Sequence, residues 1–535
     1  VRLASLALAS LVVGCHPAPA KAPPSPPLPA PRLVVLIVID QLPAWGLEAR
    51  RANFTHGLDG LLRQGVVWNN ARYPYAITFT APGHAAIGTG APPRLTGIIA
   101  NSWYRRALAT ERAAETDEAS PLLGLDGAPL VGQPGASGVA LRVEGLSEAL
   151  RRGDPRARSV VISGKARSGC FVAGGQPDVA LWYEPAARAM TTSTAYGALP
   201  AWAVAHAAAH PVARFLGGAW GLADPDVVAR LTGEPDDDGP GESPGSRFPH
   251  RLGAEGDPAR AIRNTPFLDT IEVDAAIAAV DGEHLGADDA ADLLAISFSA
   301  HDYAGHQWGQ ESWEMLDLER RLDRELARLF DALDARLGHD GYAVVLTSDH
   351  GATRMPERSG GLRISPRALA EAAERAATGV LGPGAWVAAV SSSMIYGSPA
   401  LLAAAPADRD AALAAMMRAV DEVAGVKRVV RMDRWPDGCA GLSDDDALVC
   451  ASSVPGESGE LYVWPDDGNL VTSYPAGTSH DPPSDDDRRV AIVVRAPGVA
   501  PRAIDASVSA LAVTATVAKL LGVPAPASAA APLEY

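Results

Sequence analysis

Seven side chains in this sequence are of the kinds that hold divalent cations and transfer phosphoryl groups. Asp40, Asp302, His306, Asp349, His350 and His480 supply carboxylates and imidazoles, each at the edge of an apolar run. Thr80 supplies a hydroxyl within Thr78-Phe79-Thr80-Ala81-Pro82-Gly83-His84. Carboxylate oxygen mixed with imidazole nitrogen is the donor set of hydrolytic zinc. Two such ions beside one hydroxyl can turn it into a nucleophile toward phosphorus. Taken singly each pattern is weak, because a strand-end Asp or a Thr at a helix start more often caps a helix. Six ligands of these two types in this order point to a two-zinc phosphoryl-transfer site. On the same stretch, Thr78 competes with Thr80 for the nucleophile's role.

The elements that must position these groups are legible as periodicity. Arg32 to Asp40 is a continuous β-rich run, the pattern of a strand buried on both faces. Ala291 to Phe298, Tyr342 to Thr347 and Arg489 to Arg495 are three more. Between the second and third lies a helical period, Met315, Leu318, Leu322, Leu329 and Leu333, closed by Gly338. Strands alternating with helices predict an α/β fold, a doubly wound and mostly parallel central sheet with helices on both faces. Ligands of such sheets bind beyond the carboxyl ends of the strands, where Asp40, Asp302 and Asp349 fall. The spans 103–266 and 351–473 are less regular and are expected as inserted cap segments in a catalytic domain covering 32–528. The former contains a helix-strand pair, Glu144 to Arg151 then Ser159 to Ser163.

Composition narrows the partners. At 535 residues and 47% apolar content the chain can bury a large core, and a formal charge of −17 argues against nucleic acid as a backbone-bound partner. An anionic substrate must then be held by local charge. Of 46 basic residues only Lys21, Lys165, Lys427 and Lys519 are lysine, so an internal Lys can mark a place that needs a compact ammonium.

At the amino terminus, Arg2 and the apolar run Leu3 to Val13 read as a signal segment, 1–15. It ends at Cys15 in a box resembling that of a bacterial lipoprotein. Residues 16–31 form a Pro-rich tether. The expectation is a membrane link through a lipid anchor at Cys15, a bacterial envelope location and a monomer. In an oxidising compartment Cys439 and Cys450 should pair, leaving Cys170 as a buried thiol.

Together these residues resemble the alkaline phosphatase superfamily. The closest likeness is to its single-threonine branch, the phosphate-irrepressible alkaline phosphatases. The resemblance runs from Leu33 to about Pro524. It implies that Asp40, Asp349 and His350 share one zinc with the nucleophile, and that Asp302, His306 and His480 hold the other. The threonine that opens Thr-x-Pro-Gly-His is the nucleophile in that branch, which selects Thr80 over Thr78.

The resemblance also assigns Asn101 as a donor to a phosphoryl oxygen, and Lys165 and Arg167 as the pair that grips a monoester. The diesterase branch lacks that pair. Thr96 stands where relatives usually have His, and Asp481 where Gly is common. His206 and His210 lack the glutamate of a metalloprotease motif, and the Asp triplets at 236, 444 and 485 read as solvated loops.

The implied activity is zinc-dependent hydrolysis of small-molecule phosphate monoesters through a phospho-threonine. The alternatives are a phosphodiesterase or nucleotide pyrophosphatase of the same superfamily, or a non-catalytic surface lipoprotein.

Overall fold

Strand β1 (Leu33–Ile39) carries no polar residue, and all of its side chains are at most 1% exposed. Alternate residues feed opposite cores. Val34, Leu36 and Val38 join one apolar cluster, while Leu33, Val35, Ile37 and Ile39 join another. The computed structural model describes residues 30–232, 239–243, 245, 247–254 and 256–535. The signal segment, Cys15, nearly all of the tether and the Asp236 triplet lie outside the described residues.

Among the described residues the central sheet has ten strands. After β1 come β2 (Val66–Arg72), β3 (Ser159–Ser163), β4 (Val179–Glu184) and β5 (Ala189–Thr191). Then follow β6 (Asp292–Phe298), β7 (Tyr342–Thr347), β8 (Arg489–Arg495), β9 (Arg502–Ile504) and β10 (Val508–Ser509). Their spatial order is β9-β2-β8-β7-β1-β6-β3-β4-β5, with β10 beside β2. The middle, β7-β1-β6-β3-β4, is parallel. In register, Ile39 lies opposite Phe298, and Val38 opposite Thr347. The residues that follow these strands therefore leave the sheet at one edge.

The mostly parallel central sheet is present as expected, with two refinements. The strand Arg489–Arg495 belongs to the sheet but runs antiparallel to both neighbours. Its start, not its end, therefore lies at the carboxyl edge of the parallel strands. The span 103–266 is not simply an insertion either, since β3, β4 and β5 lie within it and complete one flank of the main sheet. Their short apolar runs gave little local sign of that pairing, which is made by contact with β6 far along the chain.

Helices cover both faces. Thr80–Thr89 and Ala512–Leu520 pack on one face, and Gly57–Gln64, Pro266–Gly282 and Trp313–Leu337 on the other. Within the span 351–473, a separate antiparallel four-stranded sheet packs against helices Pro366–Leu381 and Pro406–Asp421 around its own apolar cluster. Cys439 and Cys450 are disulfide-bonded there, and Cys170 is a buried free thiol. Among the described residues no helix is long and apolar enough to cross a membrane.

The long helix Trp313–Leu337 does more than fill the core. It starts with the Ser312 hydroxyl accepting from the Met315 N–H at 3.2 Å and stops at Gly338, whose φ of 76° suits glycine. From its buried face Asp323 caps a different helix, Gly57–Gln64, whose own first residues offer no side-chain cap. The Asp323 carboxylate accepts N–H groups from Thr55, His56 and Leu58 at 2.8, 2.9 and 2.8 Å. These are the donors a helix start leaves unpaired, and a negative charge there also suits the helix dipole. Asp323→Ala should therefore cost about 3 kcal/mol of unfolding free energy, from stranded buried donors. Urea unfolding measures this, and a loss below about 0.5 kcal/mol, the level of an ordinary surface change, would refute the capping role.

Candidate active site

All six sequence-predicted ligands meet at the carboxyl edge of the sheet. Asp40 follows β1, and Asp349 and His350 follow β7. Asp302 and His306 project from helix Ala300–Trp308 with their groups 3.2 Å apart. His480 arrives from the turn before β8, which the antiparallel direction of that strand brings to this edge. The His350 and His480 rings stack at 3.7 Å, and the His306 ring lies 5.2 Å from that of His480. His350 Nε2 lies 3.3 Å from Asp349 Oδ2, 3.6 Å from Asp40 Oδ1 and 3.5 Å from the Thr80 hydroxyl.

Among the described residues two groups of donor atoms lie close enough to share an ion, Asp302 with His350 and His480, and Asp40 with Asp349 and His84. His350 thus stands with Asp302 and His480 as well as beside Asp40 and Asp349, so the two sets adjoin through it. His84 is a poorer donor than this proximity suggests. Its Nδ1 is 2.9 Å from the Thr80 carbonyl oxygen, which can only accept, so Nδ1 carries a proton. That N–H also faces Asp349 Oδ2 at 3.1 Å, while Nε2 bonds the Ser297 hydroxyl at 2.7 Å. His84 therefore ties Thr80 to Asp349 and leaves neither nitrogen bare.

The other imidazoles are set up differently. His306 Nδ1 donates to the Thr478 carbonyl at 2.8 Å, and His350 Nδ1 to that of Gly351 at 2.9 Å. Both arrangements put a proton on Nδ1 and turn Nε2 toward the carboxylates, the orientation a metal ligand needs. Burial, helped by the neighbouring His350 and His306, holds the His480 imidazole well below its usual range, and burial lowers His350 too. Neutral rings result. His306 is raised instead, since Asp302 outweighs its burial.

Charge is the decisive feature. Asp40, Asp302 and Asp349 are buried together with one ammonium, Lys165, whose Nζ is 2.7 Å from Asp40 and 2.6 Å from Asp302. Burial would lower the Lys165 pKa, but Asp302 and Asp40 carry it above its ordinary value. Burial, with Asp302 and Asp349 as like charges, pushes the Asp40 carboxyl well above the carboxylate range. Asp302 and Asp349 resist burial and stay low, through Lys165 and His306 for the first and His350 and His84 for the second.

Neither Asp40 oxygen has a well-aligned hydrogen bond, despite the short approach of Lys165, and neither do Asp349 Oδ2 and His480 Nδ1. Buried acceptors without donors, among more carboxylates than cations, fit divalent metal. A metal bound by Asp40 or Asp302 would compete with the ammonium for the same oxygens.

Thr80 opens the helix Thr80–Thr89 and is 2% exposed. That helix can lie against Asp349 only because Gly83 has no side chain, for a Cβ there would sit 2.3 Å from the Asp349 carbonyl oxygen. Thr78 is employed otherwise, its hydroxyl donating to the His480 carbonyl at 3.2 Å. Thr80, Asn101, Lys165, Arg167, Asp302 and His306 line one cavity of about 450 Å³. Asn101 Oδ1 accepts from the Ala81 N–H at 2.8 Å, which leaves its amide NH₂ free to donate. Arg167 lies 3.5 Å from Glu115, which the sequence reading did not single out.

Two further residues escaped that reading. Gln41 has a φ of 64°, unusual for a residue with a side chain. In this conformation its N–H donates to Asp349 Oδ1 at 3.1 Å and its amide to Asp302 Oδ1 at 3.0 Å. Its own Oε1 accepts from Gln310 at 2.8 Å. His301 faces the Asp40 carbonyl at 2.9 Å and Glu319 at 3.1 Å, and Glu319 is in turn clasped by Arg50. A Gln beside an Asp and a His beside an Asp carry no special spacing, so only the folded chain exposes them.

A family model for type I phosphodiesterase / nucleotide pyrophosphatase matches residues 34–487. The chain belongs to that family. Its likeness to the alkaline phosphatase superfamily extends to particular members. It is 32% identical over 335 residues to alkaline phosphatase PafA of Elizabethkingia meningoseptica, covering 61% of this chain and 60% of that protein. It is 29% identical over 530 residues to alkaline phosphatase PhoK of a Sphingomonas species, covering 93% and 89%. The first of these alignments thus spans less than two thirds of the relative's length. The crystal structure of wild-type PafA superposes with a TM-score of 0.84 at 26% identity, covering 95% of this chain and 99% of that one.

Gln41 generates a test within this family framework. By holding Oδ1 of both Asp349 and Asp302 it determines which carboxylate oxygens remain for a cation. Gln41→Met should weaken divalent-metal binding about tenfold or more, as loss of an orienting hydrogen bond does. Competition titration with a chromogenic chelator reads this directly, and unchanged metal affinity would reduce Gln41 to packing.

Proposed function

We propose that this family member hydrolyses phosphate monoesters at two divalent cations, zinc by its donor set, through a phosphate ester of Thr80. The supporting observation is the shared cavity: Thr80, Asn101, Lys165 and Arg167 line it beside Asp302 and His306. Relatives named alkaline phosphatases support the same reading.

Asp40, Asp349 and His350 would hold one cation beside Thr80, and Asp302, His306 and His480 the other, with His350 near both. When bound, such ions supply Lewis-acid charge to the phosphoryl oxygens and favour ionised hydroxyl groups. The chain's residues do the rest. Thr80 Oγ1 attacks phosphorus in line as the bond to the ester oxygen breaks, and that oxygen departs with the electron pair and takes up a proton. Water then attacks the phosphorylated Thr80, the bond to Oγ1 breaks, and inorganic phosphate leaves. The start of helix Thr80–Thr89 favours the anion throughout. Asn101, fixed by the Ala81 N–H, donates through its amide. Arg167 and Lys165 add the positive charge that a monoester, with one more anionic oxygen than a diester, rewards.

An envelope location, tethered at Cys15, accompanies this reading. The Cys439–Cys450 disulfide supports an oxidising compartment. A second reading, a phosphodiesterase or nucleotide pyrophosphatase, is favoured by the description of the matching family model. The two differ in what Lys165 and Arg167 are for.

With zinc supplied, nitrophenyl phosphate should turn over much faster than bis-nitrophenyl phosphate. Thr80→Ala should lower monoester turnover by about a thousandfold or more while zinc still binds. Arg167→Ala should lower kcat/KM for the monoester about a hundredfold and for the diester far less. A faster diester, or equal losses in Arg167→Ala, would favour the second reading. A fully active Thr80→Ala enzyme would end both.

A further inference from the structure

The cavity that holds Thr80 has more cationic wall than one phosphoryl group requires. Arg260 and Arg263 line it in addition to Lys165 and Arg167. Lys165 is matched by Asp40 and Asp302, and Arg167 faces Glu115. Arg263 is unmatched. Among the described residues it has no ion pair or hydrogen bond, and its buried Nε is without a partner. Glu184 also lines the cavity, but it accepts the Ala186 N–H and makes no ion pair with Arg263 among the described residues. An unpaired guanidinium N–H removed from water is costly, so a fold that keeps one there gains from an anion that meets it.

Arg263 is also held in place. Its guanidinium lies over the Tyr303 ring, 4.9 Å from the centroid, and Lys165 Nζ is 4.7 Å from the same centroid. One aromatic ring therefore relates Arg263 to the ammonium beside Asp302. The turn Ile262–Asn264 that carries Arg263 is pinned to helix Ala300–Trp308, for Asn264 Nδ2 donates to the Tyr303 carbonyl at 3.2 Å and to Gln307 Oε1 at 2.8 Å. Ile262, just before it, is fully buried. Mounting of this kind lets a cation bind without first being ordered.

We infer that Arg263, with the exposed Arg260 at the mouth, forms a subsite for a second anion. The cavity then takes phosphate esters whose alcohol carries a carboxylate or second phosphate a few bonds from the ester oxygen. The planar guanidinium suits such groups, meeting two oxygens at once while stacked on Tyr303. In a protein of net charge −17 the overall field repels a doubly anionic substrate, so its recognition must be local. The inference rests on the monoesterase reading for the phosphoryl group and adds the chemistry of the leaving group.

The test is a matched pair of esters, phosphoglycolate against ethyl phosphate, assayed with the zinc-loaded enzyme and with Arg263→Met. A charge-assisted contact should give phosphoglycolate an advantage of about tenfold or more in kcat/KM. Arg263→Met should bring the ratio close to one, with the unfolding midpoint checked to show that the fold is intact. Ethylene glycol bisphosphate against hydroxyethyl phosphate shows whether a second phosphate serves as a carboxylate does. If the wild-type enzyme hydrolyses both esters without preference, or Arg263→Met keeps the preference, the subsite is refuted and the monoesterase reading stands.

If neither ester is hydrolysed, the monoesterase reading falls and calorimetry decides the subsite. Phosphonopropionate should bind about tenfold tighter than propylphosphonate, an advantage lost in Arg263→Met, and equal affinities would overturn it.

Discussion

A single ammonium, Lys165, lies between Asp40 and Asp302, with Asp349 close behind. Three carboxylates taken out of water with one organic cation form an arrangement that folding alone disfavours. Its persistence organises the structure around it. Asp302 and Asp349 each give one oxygen to Gln41 and turn the other inward. Asp40 is steadied through its carbonyl by His301, which reaches Glu319 and Arg50. The surplus of negative charge is what makes the edge of this sheet suited to divalent metal, and the neutral imidazoles of His350 and His480 complete the donor set.

The core and the site are built by the same elements. Helix Trp313–Leu337 packs Met315, Leu318 and Leu322 into one face of the sheet, yet it also carries Glu319 toward His301 and Asp323 toward the start of a neighbouring helix. Helix Thr80–Thr89 is buried along its whole length, and its first residue is the candidate nucleophile. A change that loosens either helix therefore shifts functional atoms directly. The two scales of charge also differ in sign. The protein as a whole repels anions, whereas the proposed subsite offers Arg260 and Arg263 close at hand, which favours recognition at contact over gathering at a distance.

Much of this is legible in the sequence. Apolar runs with an Asp at their end or within four residues beyond it marked β1, β6 and β7, because a strand buried on both faces cannot hide its nature. The helical period from Met315 to Leu333 marked the long helix for the same reason. Where runs were short, as in Ser159–Ser163 and Val179–Glu184, membership of the main sheet did not show, since pairing with β6 and β3 is a contact between distant stretches. His301, Gln41 and Arg263 went unremarked because a His, a Gln or an Arg becomes special only through what it faces.

The sequence by itself determined the kinds of donor present, the strands that end in them and the family resemblance, all of which depend on residue type and local spacing. Tertiary structure alone decided that β8 runs antiparallel and so delivers His480 to the others, that Thr78 is tied up while Thr80 faces the cavity, and that His350 adjoins both donor sets. It also decided that Arg263 makes no ion pair among the described residues. Strand direction and side-chain partnership are set by long-range packing against other parts of the chain, and no local pattern encodes them.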